Sequence, residues 1–392
     1  MQTPATDLRR ARREFLRTVA ATLPLYYATR LPTALAAAEE AEARLIPRQK
    51  NPDNLEFPFG TLKNFFTPND LFYVRNHFPA PKLQAMTWRL QVEGHVEKPF
   101  DLGYEELLGL PPSTLNATLE CAGNGRAFLA PKTKGVQWEQ GAVSTAAWTG
   151  VKLATLLERA GVKHDAVEVV LEGADHGEPS NEPRPPGGIH FARSLPLTKA
   201  SSESVLLAYK MNGATLPALH GFPVRAVVGG WYGMASVKWL TRILVTDRPF
   251  HGYDQSIDYA IWERVSGVPS LTPITQMQVK AAIARPTVGE QIPAHRKYRV
   301  HGAAWAGEAD VGRVEVSADG GTTWNEARLR GQALPLCWRL WDFSWTPHRT
   351  GKHALMARAT DNRGNVQPMK HDPDRRNYMI TKVQPCQVEV GS

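Results

Sequence analysis

Apolar and polar residues alternate along several segments in the first two thirds of the chain. The alternation has a period of two residues in "LFYVRNHF", "TWRLQVEG" and "STLNATLEC", which predicts β-strands with one buried face. In the first segment Leu71, Tyr73, Arg75 and His77 fall on the same face. We therefore expect a strand there whose one face carries both apolar and basic side chains.

One segment has the spacing of a helix instead. In "VKLATLLERAG" leucines recur at positions 153, 156 and 157, and Gly161 follows as a stop signal. Longer apolar runs are typical of strands buried on both faces, and they occur in "AVEVVLEG", "SVLLAYKMNG", "FPVRAVVGG" and "VKWLTRILVTD". We expect a mixed α+β domain over residues 71–270, interrupted by the Pro/Gly-rich loop "EPSNEPRPPGG".

The pattern changes at about residue 275. Short alternating segments with turn signals between them follow, without a helical period, and Asp319-Gly320-Gly321 predicts a hairpin turn. This regular alternation predicts an immunoglobulin-like β-sandwich over residues 275–392, without the paired cysteines of antibody domains.

The N-terminal residues have a different character. Residues 1–36 combine a basic stretch, a modestly apolar stretch and the small residues Ala34-Leu35-Ala36, which predicts an export signal. Arg12-Arg13 resembles the twin-arginine signal, whose pathway exports folded proteins; a basic amphipathic helix is the alternative. Residues 37–70 have no clear period and predict an arm on the surface. The expected location is therefore the bacterial periplasm.

Composition and charge exclude some partners. With 42% hydrophobic and 21% charged residues, the chain can bury a large core. Its net charge is +8, but residues 1–36 account for half of that excess, and no later Lys/Arg run is interleaved with aromatic residues. We expect no nucleic-acid partner. The leader's apolar run is shorter than the ~20 residues a membrane span needs, so we expect no span in the exported chain.

Three cysteines, at positions 121, 337 and 386, are too few and too scattered for a disulfide framework or a thiolate metal cluster. No C-x-x-C-H sequence is present, so no covalently attached haem is expected. Cys337 and Cys386 either form a disulfide in an oxidising compartment or remain free thiols in the core. The sequence leaves both alternatives open.

Cys121 stands out by its surroundings in "TLECAGNGRAF". It shares a strand face with Leu119, so one interpretation is that it is the last core residue of that strand. The small residues Ala122 to Gly125 instead suggest that a ligand approaches the backbone, and Arg126 would favour a thiolate. A thiolate either attacks a substrate or binds a soft metal.

The segment "ECAGNGR" resembles the molybdenum-ligand motif of the sulfite oxidase family. Further segments resemble the family's other motifs in the same order: "FYVRNHF", "HGFPVR", "SVKWL", "CWRLW" and "DNRGNVQP". The resemblance covers nearly all of the chain after the leader. It implies that Cys121 is the single protein ligand to molybdenum, with the other sulfurs coming from the pterin dithiolene. It also implies a molybdopterin-binding α+β domain followed by a dimerisation domain, and hence a homodimer.

The same resemblance assigns the residues that hold the cofactor. Arginine and lysine side chains suit its phosphate, whereas Asp175, in a glycine-rich turn, has the alternative role of capping the backbone. The implied set is Tyr73, Val74, Arg75, Asn76, His77, Asp175, His220, Arg225, Ser236, Val237 and Lys238.

The expected substrate site contains three arginines and a tyrosine. Arg339 shares its strand face with Cys337 and Trp341, and a buried guanidinium requires an anion beside it, either a carboxylate or a substrate. Arg75 and Arg126 complete the group in the family's pattern. The family's active-site tyrosine corresponds to Tyr253, with Tyr259 as the rival.

The resemblance implies the oxidation of sulfite to sulfate, with electrons passing singly to an external acceptor such as a c-type cytochrome. A sulfane dehydrogenase and a methionine-sulfoxide reductase are the alternatives within the family. The chain has Gly125-Arg126 where animal and plant relatives usually carry two arginines, which leaves the substrate less well defined. An exported β-sandwich binding module without a cofactor is the alternative outside enzymes.

Overall fold

The structure, a computed structural model, describes residues 44–392. The predicted export signal lies outside the described residues, and of the predicted arm residues 44–70 are described. Residues 44–392 contain three short α-helices: α1 (Tyr104–Leu108), α2 (Leu153–Ala160) and α3 (Leu197–Ala200). No helix in the described part of the chain is long and apolar enough to cross a membrane.

Most of the regular elements described before residue 275 are strands. They are β1 (Ile46–Gln49), β2 (Asn54–Glu56), β3 (Arg89–Gly94), β4 (Phe100–Gly103), β5 (Ser113–Glu120), β6 (Val143–Lys152), β7 (Glu168–Gly177), β8 (Ile189–Pro196), β9 (Val205–Met211), β10 (Ala214–Thr215), β11 (Arg225–Val228), β12 (Leu240–Thr246), β13 (Ala260–Val265) and β14 (Val268–Pro273).

These strands form two five-stranded sheets and two hairpins. One sheet has the order β10-β9-β6-β5, with β11 also paired to β9, and the other has the order β4-β3-β12-β7-β8. β12 runs parallel to β3, and the other pairs in both sheets are antiparallel. The hairpins are β1-β2 and β13-β14. The α+β class expected from the sequence is confirmed, with strands predominating.

The C-terminal region is built mainly of strands, with one short 3-10 helix at Pro373–Arg375. The strands are β15 (Lys280–Arg285), β16 (Gln291–Pro293), β17 (Tyr298–Trp305), β18 (Val311–Ser317), β19 (Asn325–Glu326), β20 (Arg328–Leu329), β21 (Arg339–Trp345), β22 (Gly351–Asp361) and β23 (Cys386–Gly391). They form sheets of order β15-β17-β21-β20 and β16-β23-β22-β18-β19. Gly320 and Gly321 have φ of 74° and 97°, as the predicted hairpin turn requires.

Two groups of buried apolar residues hold these sheets together. The second group lies between the two C-terminal sheets and contains Val300, Val314, Trp341 and Leu355. The larger group centres on the first two sheets, yet it also contains Trp305 and Trp338 from the C-terminal region. The boundary at residues 270–275 and the immunoglobulin-type assignment stay predictions.

The predicted helix and one predicted strand have different outcomes. Helix α2 occupies the leucine-rich segment and ends at Gly161, whose φ of 65° is left-handed. The segment around Arg75 is an extended loop, with a single bridge from Val74 to Leu55, so the expected strand is wrong. No neighbouring strand continues the pairing there, but the extended backbone still points Tyr73, Arg75 and His77 into one cavity.

Candidate active site

Cys121 lies where two cavities meet. It follows the last residue of β5, and its backbone N–H donates to the Ala142 carbonyl at 2.9 Å. An inner cavity of about 50 Å³ and an outer cleft of about 950 Å³ share four lining residues: Arg75, His77, Cys121 and Tyr259. A ligand group in the inner cavity and a substrate in the cleft can therefore both reach the thiol.

The other two cysteines, Cys337 and Cys386, are not joined by a disulfide, so the alternative of free thiols is confirmed.

The turn after Cys121 is shaped around Arg126. A Cβ atom at Gly123 would collide with the Arg126 guanidinium, and one at Gly135 would lie 2.9 Å from its Nη1. The guanidinium donates to the carbonyls of Asn377 at 3.1 Å and Val136 at 2.9 Å. The small residues that suggested close approach of a ligand to the backbone thus make room for this side chain.

The inner cavity is lined by cations that lack carboxylate partners. Arg225 is 4% exposed and donates only to backbone carbonyls, those of Ala226, His220 and Ser236. Lys238 donates to Asn76 Oδ1 and to the Leu219 carbonyl. Among the described residues, neither forms a salt bridge. Burial lowers the pKa of Arg225 to about 10, and burial together with Arg225 lowers the pKa of Lys238 well below its usual range.

The two histidines of the inner cavity have lowered pKa values, which favour their neutral forms. Burial, with Lys238 and Arg225 nearby, lowers the pKa of His220 to about 3. Burial and Arg75 likewise lower the pKa of His77 well below its usual range. Burial also raises the pKa of the one carboxyl group in this lining, Asp175, to about 6, and its Oδ1 has no hydrogen-bond partner. Desolvated cations with little negative charge beside them favour binding of an anion.

The other predicted cofactor residues surround this cavity. Ser236 lines it, and its backbone carbonyl accepts from Arg225 while its Oγ accepts from the N–H of Val228. Asn76 lines the outer cleft. Val74 and Val237 are buried and make backbone hydrogen bonds, to Leu55 and Ala226, so they support the lining without forming it.

The tyrosine beside Cys121 is Tyr259 rather than Tyr253. The Tyr259 hydroxyl lies 2.6 Å from His77 Nε2 and 3.5 Å from Arg75 Nη2, and burial raises its pKa. Tyr253 lies farther out in the cleft, where its hydroxyl donates to the Asn181 carbonyl at 2.8 Å. Both tyrosines line the cleft, but only Tyr259 also lines the inner cavity, so the structure favours the rival Tyr259 while the active-site tyrosine stays a prediction.

Arg339 does not reach either cavity. It begins β21 opposite Ala304, and its Nη2 donates to the Gly331 carbonyl at 3.1 Å. Arg339 does not share a buried strand face with Cys337, because Cys337 and Trp338 are both buried and the alternation begins only with β21. The expected three-arginine pocket is corrected: the third arginine in the cleft is Arg376.

Two residues near the C-terminus were missed by the sequence reasoning. Arg376 Nη1 donates to the carbonyls of Ala260 at 2.7 Å and Ile257 at 3.2 Å. The ring of Tyr378 lies 5.1 Å from both the Arg126 guanidinium carbon and the Tyr259 ring centroid. The available signal was the unusual cluster "DRRNYM", which no periodic pattern explains.

Comparisons with known proteins agree on one family. Residues 77–254 match the model of the oxidoreductase molybdopterin binding domain, and residues 272–379 match that of the Mo-co oxidoreductase dimerisation domain. Sulfite oxidase of Gallus gallus is 36% identical over 81% of this chain and 72% of its own length. Mitochondrial sulfite oxidase of Homo sapiens is 37% identical over 81% of this chain, which spans only 60% of that protein.

A solved structure matches almost the whole chain. The sulfane dehydrogenase SoxCD from Paracoccus pantotrophus superposes with a TM-score of 0.77 at 28% identity, and the match covers 90% of both chains. The region that matches the molybdopterin binding domain contains Cys121 and most residues that line the inner cavity, whereas Tyr73, Arg75 and Tyr259 lie just outside it.

Proposed function

Since the chain belongs to the sulfite oxidase family of molybdopterin-binding oxidoreductases, we propose that it oxidises sulfite to sulfate. The electrons then pass one at a time to an external acceptor, such as a c-type cytochrome. The observation that carries this proposal is the pair of joined cavities at Cys121, both lined by cations.

The residues of the inner cavity fit the family's molybdenum cofactor. Arg225 and Lys238 are buried without carboxylate partners, so a phosphate group would supply the missing negative charge. Neutral His220 and Ser236 add polar groups suited to a heterocycle. Cys121, at the junction, would be the protein ligand to the metal, and a deprotonated thiol is a soft ligand of the required kind.

The protein's part in the reaction is to attract and orient the substrate. When bound, the cofactor supplies oxygen-atom transfer and temporary storage of two electrons. Arg75, Arg126 and Arg376 line the cleft, and their combined field draws in a small dianion. Arg75 and Tyr259 lie together beside Cys121, where they would hold the sulfite oxygens in one orientation. Sulfite and water thereby give sulfate, two protons and two electrons.

A sulfane dehydrogenase is the second candidate, because the outer cleft is much larger than sulfite. Its volume of about 950 Å³ is lined by residues from several loops, including Glu178, Asn181 and Lys134. Such a cleft also accommodates a sulfur atom carried on a larger molecule. The structural match to SoxCD supports this alternative.

We also propose a homodimer and a periplasmic location. The match of residues 272–379 to a dimerisation domain supports the homodimer. The twin-arginine pattern at Arg12-Arg13 supports export of the folded protein. Fusing the leader to a reporter exported only by the twin-arginine pathway tests the location, with Arg12→Lys/Arg13→Lys as the control. Light scattering of the purified protein tests the dimer.

Metal analysis combined with turnover tests the proposed function. We expect about one molybdenum per chain in protein from a molybdenum-sufficient host, and sulfite-dependent reduction of ferricyanide or cytochrome c. Cys121→Ser should abolish turnover, whereas Cys337→Ser, a matched change of a buried thiol that lines neither cavity, should not. Molybdenum without sulfite turnover would favour the sulfane substrate. Folded wild-type protein without molybdenum or pterin would refute the proposal.

A further inference from the structure

The carboxylate next to Cys121 is paired with side chains from the C-terminal sheet. Glu120 is 1% exposed, and its Oε1 accepts a hydrogen bond from Lys280 Nζ at 2.9 Å. Its Oε2 accepts one from Trp305 Nε1 at 2.8 Å. Lys280 lies in β15 and Trp305 in β17, so the region that matches the dimerisation domain supplies both partners.

The same lysine also contacts the other end of the Cys121 turn. Lys280 Nζ donates to the Asn124 carbonyl at 3.1 Å, and Asn124 Nδ2 donates to Glu120 Oε1 at 3.0 Å. Asn124 Oδ1 accepts from the N–H of Ala142 at 3.1 Å, and the carbonyl of Ala142 accepts from the N–H of Cys121 at 2.9 Å. The residues on both sides of Cys121 are therefore tied into one buried network.

The stability of the fold does not explain why Lys280 and Glu120 form a buried ion pair. The side chains of Lys280 and Glu120 are 5% and 2% exposed. Removing two charges from water costs about as much as their attraction returns, so an apolar pair of similar volume would serve the fold equally well.

We propose that Lys280 is a positioning residue for Cys121, which holds the Cys121 turn through Glu120 and balances the carboxylate charge beside the sulfur. The inference rests on the proposed function, because it takes Cys121 as the ligand to molybdenum. It assigns the C-terminal sheet a second role, in which it sets the electrostatic surroundings of the metal ligand.

A second triad of the same composition, which is more exposed, provides a control away from Cys121. Lys199 Nζ donates to Glu308 Oε1 at 2.6 Å, and Trp231 Nε1 donates to the same oxygen at 3.0 Å. None of these three residues lines the inner cavity or the cleft. Lys199→Met therefore removes the same charge from the same kind of triad, away from Cys121.

The reduction potential of the bound molybdenum tests the inference without sulfite turnover. It is measured by EPR during a mediated redox titration of the molybdenum-loaded protein. Lys280→Met leaves a buried carboxylate unbalanced and should lower the potential, whereas Glu120→Gln leaves an unbalanced cation and should raise it. The double variant Lys280→Met/Glu120→Gln, the conservative Lys280→Arg and the control Lys199→Met should all stay near the wild-type value.

Shifts of the same sign in the two single variants, or a Lys199→Met shift as large as that of Lys280→Met, would overturn the inference. If the single variants do not retain molybdenum, the metal content decides: the charge-balanced double variant should recover loading, and failure to recover it counts against the proposal. Protein that holds molybdenum but does not oxidise sulfite still gives these potentials. Wild-type protein without molybdenum overturns the proposed function and this inference together.

Discussion

The surroundings of single side chains determine which of them can act at the site. Tyr253 and Tyr259 both lie in the cleft, but only Tyr259 contacts the group around Cys121. Its hydroxyl is buried between His77 and Arg75, whereas that of Tyr253 meets a carbonyl on a loop. The same chemical group is therefore oriented in one case and only anchored in the other.

Replacing the two tyrosines in turn tests this distinction. Tyr259→Phe should lower kcat/KM for sulfite by about 10- to 100-fold, because a lost hydrogen bond to a charged group costs about 1.5–3 kcal/mol. Tyr253→Phe should change it by less than about twofold, because the Tyr253 hydroxyl donates to the Asn181 carbonyl and contacts neither His77 nor Arg75. Steady-state kinetics with both variants, at equal molybdenum content, make the measurement. A larger effect at Tyr253 would restore the original sequence-based choice.

The turn that follows Cys121, residues 122–126, has room for the Arg126 side chain because glycine occupies position 123. The Arg126 guanidinium lies against Gly123 on one side and Gly135 on the other, with Tyr378 over its face. Backbone carbonyls hold the guanidinium, so its charge is not neutralised before an anion arrives. A side chain larger than hydrogen at position 123 would push the charge away from the cleft.

Gly123→Ala should therefore raise the KM for sulfite by about 10-fold or more, which corresponds to the loss of one charge-assisted hydrogen bond of about 1.5–3 kcal/mol. The fold should remain, since the displaced group is the end of a flexible side chain. Circular dichroism and KM together make the measurement, and Gly391→Ala, where a Cβ meets nothing within 4 Å, is the control. An unchanged KM would mean that Arg126 does not contact the substrate.

Local sequence patterns predict several of the helices and strands correctly. Helix α2 and the strands β3, β5 and β12 follow from local periodicity, since each buries one face or both. The segment around Arg75 alternates equally well, yet it is not a strand because pairing depends on distant partners. Local patterns therefore predict most elements but not how they pair.

Site residues that lie in sequence motifs could be predicted, whereas site residues outside these motifs could not. Cys121, Arg225 and Lys238 lie in matched segments and meet at the inner cavity. Arg376 and Tyr378 reach the cleft from near the chain's end, and only the tertiary fold shows their position. The prediction for Arg339 is wrong because the alternation of buried and exposed residues does not extend past the start of its strand.

The inner cavity of the fold contains buried positive charges that are not balanced by neighbouring carboxylates. Arg225 and Lys238 are desolvated and have carbonyl or amide oxygens as partners, and the one carboxyl group in the inner lining, Asp175, is itself buried with a raised pKa. Such an arrangement destabilises the protein until an anion binds. Binding of the cofactor's phosphate would therefore stabilise the fold.

This imbalance makes the stability of the unloaded protein depend on pH. Burial and Arg225 lower the pKa of Lys238 well below 10.5, so below that pH the unfolded chain binds a proton that the folded chain resists. The free energy of unfolding should therefore rise as the pH increases from the lowered pKa of Lys238 towards 10.5, by at most about 1.4 kcal/mol per pH unit. His220 has a pKa of about 3 in the folded protein and stays neutral at alkaline pH, so it adds nothing to this slope.

Urea unfolding of the unloaded protein at several pH values measures the slope. The Lys238→Met variant should lack the slope that Lys238 causes. The loaded protein should show less of this slope, because a phosphate partner restores the charge of the lysine. Equal slopes in all three samples would mean that Lys238 is already paired in the unloaded fold.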